Sequence, residues 1–187
     1  AKARSSLTFL PEDFNKRLIS GLLKADNVAE AMDLYASLTG AHVGESGAAL
    51  GWESDFPPID WLYEDAGGFR ARPSGDAELL ELEVSPGKGG VIASRLIKAS
   101  DRDILVGVIV SDFNKADTSQ TLRMEMRCWG ESDPFDSLRL QTGLNEHTFS
   151  MPESWECEYR YIEIYARAFR GKAPLAAKIS KFRIEPQ

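Results

Sequence analysis

Residues 158–169 read EYRYIEIYARAF, and apolar side chains occupy every second position in most of this stretch. Successive side chains of an extended chain point to opposite faces, so the stretch has two unlike faces. One face carries Ile162, Ile164, Ala166 and Ala168, and the other carries Tyr161, Glu163, Tyr165 and Arg167. This period of two predicts a β-strand that buries one face in a core and leaves the other open.

The same alternation recurs along the chain from Ile59 onward. ELLELEVS at 78–85 and TLRMEMRCW at 121–129 alternate clearly, and ISKFRIEP at 179–186 closes the chain. DILVGVIVSDF at 103–113 is almost continuously apolar, so we expect a central strand that is buried on both faces. About nine strands without intervening helices predict a mostly β chain, an antiparallel sandwich with Greek-key or jelly-roll connections.

The N-terminal part has the period of a helix. Apolar residues recur every four positions from Phe14 to Leu22, which predicts a first helix. Asn27 and Glu30 have the spacing of a capping box at the start of a second helix, which Gly40 ends. Two helices with a short turn between them form an antiparallel hairpin, whose apolar stripes must pack against another part of the molecule.

The sequence FPPIDW at 56–61 marks the entry into the strands. Prolines cannot donate to a β-ladder, so we expect Pro57 and Pro58 to hold the chain extended at a sheet edge. Asp60 and Trp61 would then begin the first strand. Trp61 is expected to enter the mouth of the sandwich and fix how the hairpin docks, although a ligand platform is the alternative. We therefore divide the chain into a helical hairpin at 1–41, a connection at 42–58 and a β-sandwich at 59–187.

Composition excludes two classes of partner. The 187 residues carry a net charge of -7, and the sequence pI is close to 5.0. Proteins that bind nucleic acid usually present a basic field to the phosphates, so nucleic acid is not expected as a partner. No apolar run approaches the roughly 18 residues that a membrane helix needs, so no membrane insertion is expected in this chain.

Four stretches resemble a known group of proteins. AEAMDLYASLTG (29–40), FPPIDW (56–61), MRCW (126–129) and SMPESWECEYRYIEIYA (150–166) resemble the C-terminal part of certain bacterial cell-envelope proteins. In those proteins, tetratricopeptide-like (TPR-like) helices lead into a jelly-roll domain similar to carbohydrate-binding and galactose-binding-like modules. The resemblance implies an extracytoplasmic location, in the periplasm or cell envelope, and a disulfide between Cys128 and Cys157. On the residues alone, a disulfide and two free thiols remain equal alternatives.

The candidate ligand-binding surface comes from the polar faces of two strands. These faces combine flat aromatic rings with side chains that hydrogen-bond hydroxyl groups, which is the combination that sugar sites use. The candidate residues are Arg123, Arg127 and Trp129 on one strand and Tyr161, Tyr165 and Arg167 on the other, with Glu125, Tyr159 and Glu163 beside them. The alternative is that the N-terminal hairpin or loops cover these aromatic residues.

Other motifs predict no chemistry. His42 and His147 are too isolated for a metal site or a catalytic triad. Asp112, Asn114 and Asp117 resemble the start of a calcium loop, but its glycine and closing glutamate are missing, so we interpret the stretch as a hairpin turn. PGKGG at 86–90 lacks the spacing of a phosphate loop and is expected to be a hairpin loop. We expect no cofactor and no catalytic or metal residue, and a structural calcium with unidentified ligands remains the alternative.

The expected function is non-catalytic recognition of a glycan or polysaccharide by a module of a bacterial envelope protein. The first alternative is a protein-interaction or scaffold module that binds another envelope protein and no sugar. The second alternative is a glycan-processing enzyme, which needs two convergent carboxylates in a cleft. No spacing in the sequence requires such a pair.

Overall fold

The computed structural model describes residues 12–40, 51–75, 77–99, 101–114 and 120–186. Two helices come first and are followed by ten strands among these residues, one more than the sequence analysis expects. The elements are α1 (Glu12–Lys24), α2 (Val28–Thr39), β1 (Leu62–Tyr63), β2 (Phe69–Ser74), β3 (Leu79–Val84), β4 (Gly89–Lys98), β5 (Asp103–Ser111), β6 (Thr121–Cys128), β7 (Asp136–Arg139), β8 (Gly143–Ser150), β9 (Tyr159–Arg167) and β10 (Leu175–Pro186).

The strands form two antiparallel sheets of five strands each, stacked as a jelly-roll sandwich. Sheet I has the order β1-β4-β9-β6-β7, and sheet II has the order β2-β3-β10-β5-β8. The predicted fold class, a β-sandwich preceded by a helical hairpin, is therefore confirmed. The inner faces of both sheets supply the core, as the alternation in the sequence requires, and Leu122, Met124 and Met126 of β6 are buried there.

Three aromatic rings fill one part of this core. Trp61 lies with its ring centroid 4.6 Å from that of Trp52 and 5.1 Å from that of Phe182. All three side chains are fully buried. Trp61 is thus a core residue, as its structural interpretation predicts, and Trp52 of the expected connection belongs to the same core.

The helices start and end close to the predicted positions. Gly40 ends α2 in the left-handed conformation with a φ of 69°, and its N–H donates to the carbonyl of Ala36. The predicted capping box is wrong, because Asn27 makes no side-chain cap to the helix backbone. Its amide instead donates to the Glu30 carboxylate at 2.7 Å, which links the two side chains directly.

The hairpin packs on the outer face of sheet I and forms a second hydrophobic cluster there. Its apolar stripes contribute Ile19, Leu23, Val28, Ala31, Met32 and Tyr35, all buried. The sheet contributes the buried Leu96 of β4, and Trp129, Tyr159 and Tyr161 pack against the same cluster. The apolar stripes of the two helices, for which the sequence indicated no partner, therefore pack against each other and against the outer face of sheet I.

The FPPIDW stretch is a turn, so the prediction that its prolines hold an extended chain is wrong. The N–H of Asp60 donates to the carbonyl of Phe56, and the Asp60 carboxylate accepts the N–H of Phe56 in return, both at 3.0 Å. This reciprocal pair closes residues 56–60 before any strand forms, and β1 begins only at Leu62. The peptide bond between Pro57 and Pro58 is cis.

Ile59 and Asp60, rather than Trp61, connect this turn to the hairpin. Ile59 is fully buried in the hairpin cluster. The Tyr35 hydroxyl of α2 donates to the Asp60 carboxylate at 2.7 Å, and the buried Arg95 guanidinium of β4 lies 3.7 Å from the same oxygen. Burial, together with the Asp60 carboxylate, raises the pKa of Tyr35 far above its usual value. The prediction that Trp61 fixes how the hairpin docks is therefore wrong. Ile59 and Asp60 make this contact instead.

Three further predictions about strands and loops are wrong. Strand β5 is an inner strand of sheet II, paired with β10 and β8 as expected, but its outer residues Leu105 and Ile109 are only partly buried, so it is not buried on both faces. The PGKGG loop joins β3 of sheet II to β4 of sheet I, so it crosses between sheets and is not a hairpin. The connection from β5 to β6 also crosses between the sheets, so the predicted hairpin turn there is wrong as well. Asp117, which lies in this connection, and His42 are outside the described residues.

Candidate functional site

The two strands that carry the candidate residues are neighbours in sheet I. In the antiparallel register of β6 and β9, Arg123 lies opposite Tyr165, Glu125 opposite Glu163, and Arg127 opposite Tyr161. Opposed residues of an antiparallel pair share one face, so RxExR on β6 meets YxExY on β9 on the outer face of the sheet. The two polar faces on which the candidate surface depends therefore belong to one sheet.

A pair of buried glutamates lies at the centre of this face. The Glu125 and Glu163 side chains are only 5% and 7% exposed. Arg127 binds Glu163 through two N–H groups, at 2.6 and 3.3 Å, and Arg123 forms an ion pair with Glu125. Burial raises the pKa of the Glu125 carboxyl, the Glu163 charge adds to the rise, and Arg123 opposes it. The arginines thus compensate two like charges on adjacent strands.

Each arginine also lies over an aromatic ring. The Arg123 guanidinium is 4.1 Å from the ring centroid of Tyr165, and the Arg127 guanidinium is 4.6 Å from that of Tyr161. Both distances are within the range of cation–π attraction. The rings therefore hold the guanidinium groups in fixed positions on the sheet, beside the buried glutamates.

The hairpin covers one half of the outer face, which we call the covered half: Leu96, Trp129, Tyr159 and Tyr161. The Trp129 ring stacks on Tyr161 with centroids 5.5 Å apart, and its indole N–H donates to the Asp26 carboxylate in the turn between the helices at 2.7 Å. Burial raises the pKa of Tyr161 to about 12, with the Glu163 charge adding and Arg127 opposing. Two of the six candidate residues, Trp129 and Tyr161, thus take part in the contact with the hairpin.

The other half of the face, which we call the open half, consists of Val91, Arg123, Arg139, Tyr165 and Arg167. Val91, Tyr165, Arg123 and Arg139 form a row across β4, β9, β6 and β7 in the ladder register. Val91 is 39% exposed and the Arg123 side chain 38% exposed, and Arg139 and Arg167 are exposed as well. The row combines an exposed apolar group and an aromatic ring with several N–H donors.

Arg167 is positioned beside this row by close contacts. A Cβ atom on Gly89, its partner on β4, would lie 2.8 Å from the Arg167 Cγ atom, so the stem of Arg167 rests on bare backbone. Its guanidinium lies 4.8 Å from the ring centroid of Phe169. Val91 and Arg139 were missed by the sequence analysis, because a single strand's period does not reveal which strands flank it.

Cys128 and Cys157 are joined by a disulfide, with Cα atoms 5.8 Å apart. The bond ties the end of β6 to the loop before β9, directly beside the covered half. A pocket of about 320 Å³ next to it is lined by Trp129, Trp155 and both cysteines, among others.

Other candidate chemistry takes ordinary structural positions. His147 lies 3.0 Å from the Asp136 carboxylate and packs edge-on against Phe149. In the part of the chain that the structure describes, no group of three or more His, Cys, Asp or Glu residues is arranged to hold a metal ion. Within the same residues, no helix is long and apolar enough to cross a membrane.

Comparisons with known proteins find similarity in structure but none in sequence. No protein-family model matches the chain, and no curated protein sequence matches it significantly. Among solved structures, a family 4 carbohydrate-binding module has 10% identity and a TM-score of 0.46 over 70% of this chain and 88% of its own.

Two further solved structures have comparable values. A family 61 carbohydrate-binding module in complex with β-1,4-galactotriose has 10% identity and a TM-score of 0.41 over 68% of this chain and 88% of its own. A cyclase from Fischerella sp. TAU has 10% identity and a TM-score of 0.40 over 78% of this chain and 98% of its own. These neighbours include both carbohydrate-binding modules and an enzyme.

Proposed function

We propose that this chain is a non-catalytic module that binds a glycan on the open half of sheet I. The observation that carries the proposal is the row of Val91, Tyr165 and Arg123, which places an exposed apolar side chain beside an aromatic ring that carries a guanidinium on its face. A sugar ring has apolar C–H groups on its faces and hydroxyl groups around its rim. Val91 and the partly buried Tyr165 ring supply apolar surface for the first, and the guanidinium on that ring supplies N–H donors for the second.

The chemistry of the face favours binding over catalysis. Glu125 and Glu163 are acids on the same outer face as the proposed site, and each carboxylate is ion-paired with an arginine. A glycosidase needs one carboxyl group that protonates the leaving oxygen and a second that activates water or attacks the sugar. Both glutamates are buried and paired with arginines, so we assign them to support of the arginines.

The six candidate residues then divide by role. Arg123, Tyr165 and Arg167 would contact the glycan directly, because they lie on the open half. Arg127 holds Glu163 in place, and Trp129 and Tyr161 hold the hairpin.

The test is binding of the whole chain to a panel of bacterial and plant polysaccharides, followed by titration with the best ligand. We expect Tyr165→Ala and Arg123→Ala each to weaken binding at least fivefold, since each removes one type of contact. Phe14→Ala is the matched control, because Phe14 is an aromatic residue on α1 that is 47% exposed and lies outside the site. Unchanged binding in both site variants would refute this location.

A protein partner is the main competing outcome of this experiment. If a purified envelope protein binds with the same dependence on Tyr165 and no polysaccharide binds, the chain is an interaction module instead.

We also propose that the chain works outside the cytoplasm, as part of a bacterial envelope protein in which TPR-like helices precede the sandwich. The disulfide supports an oxidising compartment, because such bonds persist mainly outside the cytosol. The two packed helices are compatible with the last pair of a repeat array. Labelling of Cys128 and Cys157 by a thiol reagent in intact cells tests the location, and we expect no labelling before reduction.

A further inference from the structure

We propose that the glycan recognised by the open half is acidic, carrying carboxylates such as those of hexuronic acid units. This inference rests on the proposed function and adds the class of ligand. It starts from three arginines, Arg123, Arg139 and Arg167, which the fold brings to one part of the outer face from three different strands.

Two of these arginines are neighbours across the ladder of sheet I. Arg123 and Arg139 lie directly opposite each other on β6 and β7. Like charges at directly opposed positions of an antiparallel pair destabilise a sheet. Glu125 compensates Arg123 from below, and the Arg139 guanidinium donates to the backbone carbonyl of Gln120 at 3.3 Å. A carboxylate bound above the two guanidinium groups would be attracted by both of them.

The guanidinium groups are also held in place before any ligand arrives. Tyr165 lies under Arg123 at 4.1 Å, and Phe169 lies beside Arg167 at 4.8 Å. A guanidinium is planar and presents paired N–H donors that match the two oxygens of a carboxylate. Because stacking already restricts these side chains, less conformational entropy is lost when they bind an anion.

The charge of the open half contrasts with that of the whole chain. The chain carries a net charge of -7, whereas the five residues of the open half include three arginines and no acid. A chain of net negative charge repels an acidic polysaccharide on average, and this basic patch offers it local attraction. We expect such binding to be specific in location and to weaken as salt screens it.

The test compares a homogalacturonan oligosaccharide with its methyl ester, which has the same sugar backbone without the charge. We expect the acidic form to bind about tenfold more tightly than the ester, and Arg139→Gln/Arg167→Gln to remove about tenfold of its affinity. The matched control is Arg70→Gln/Arg72→Gln, which removes the same charge from exposed arginines of β2 in sheet II. This control should change the affinity less than twofold.

The outcomes separate this inference from the proposed function. If acid and ester bind equally and Tyr165→Ala weakens both, the site is a neutral-glycan site and the inference is overturned while the proposed function stands. If polyglutamate binds as tightly as the acidic oligosaccharide with the same arginine dependence, the patch binds anions without recognising sugar, which overturns the proposed function. Equal losses of affinity in Arg139→Gln/Arg167→Gln and in Arg70→Gln/Arg72→Gln would also overturn the inference, because they would indicate an effect of overall charge.

Discussion

Removal of the disulfide provides a quantitative test of the structure. Cys128 and Cys157 are 29 positions apart, and their bond closes the chain segment that contains β7 and β8. The loss of chain entropy that such a crosslink imposes on the unfolded state corresponds to about 3.6 kcal/mol at 25 °C. For a domain whose free energy of unfolding is of the order of 5–15 kcal/mol, this is a large fraction.

We expect Cys128→Ala/Cys157→Ala to lower the free energy of unfolding by about 3.6 kcal/mol and the Tm by roughly 10 °C. Urea denaturation followed by tryptophan fluorescence measures the first quantity and calorimetry the second. The m-value should rise, because the unfolded chain without the crosslink exposes more surface. Wild-type protein unfolded in the presence of a reductant is the control and should lose a similar amount. A loss below about 1 kcal/mol in both experiments would show that the bond does not constrain the unfolded chain as argued.

The remaining predictions concern the hairpin contact and the buried acids. Ile59→Ala should destabilise the protein by about 3 kcal/mol in urea denaturation, because this fully buried side chain fills the contact with the hairpin; a loss below about 1 kcal/mol would contradict that packing. Tyr35→Phe should cost about 1.5 kcal/mol, since it removes a buried hydrogen bond to the Asp60 carboxylate, and no change would show that the bond is not formed. The pKa of Glu125 is raised, so the folded state holds the carboxyl proton more tightly than the unfolded chain does. The contribution of this group to stability therefore falls as the pH rises above 4.5, the ordinary pKa of a glutamate. Glu125→Gln should remove this fall in denaturation curves measured between about pH 4 and pH 7, and an unchanged pH dependence would contradict it.

The sequence predicted which side chains share a face of each strand better than it predicted which strands lie side by side. The alternation in β6 and β9 identified every residue of RxExR and YxExY and placed the triplets on polar faces, because side-chain direction follows directly from position in an extended strand. It did not reveal that β4 and β7 flank this pair. Val91 and Arg139 therefore remained unnoticed, although they complete the open half.

Turn residues did not reveal the connections between the sheets, for a related reason. The glycines and proline of PGKGG favour a tight change of direction, and that local chemistry is the same whether the chain returns to its own sheet or crosses to the other. The choice depends on which strands are already paired, which is a property of the whole sandwich. In the same way, the role of Asp60 depends on Tyr35 and Arg95, two residues distant in sequence that meet only in the folded chain.

The position of the hairpin has a practical consequence for dissection of the protein. A shortened chain that began at residue 59 would leave Leu96, Trp129, Tyr159 and Tyr161 without the helices that shield them. Exposed aromatic and aliphatic groups of this kind promote self-association, so such a fragment would tend to aggregate and to bind hydrophobic dyes and surfaces unselectively. Apparent sugar binding by that fragment would report newly uncovered rings, and residues 12–40 therefore need to be retained in any fragment used for ligand screening.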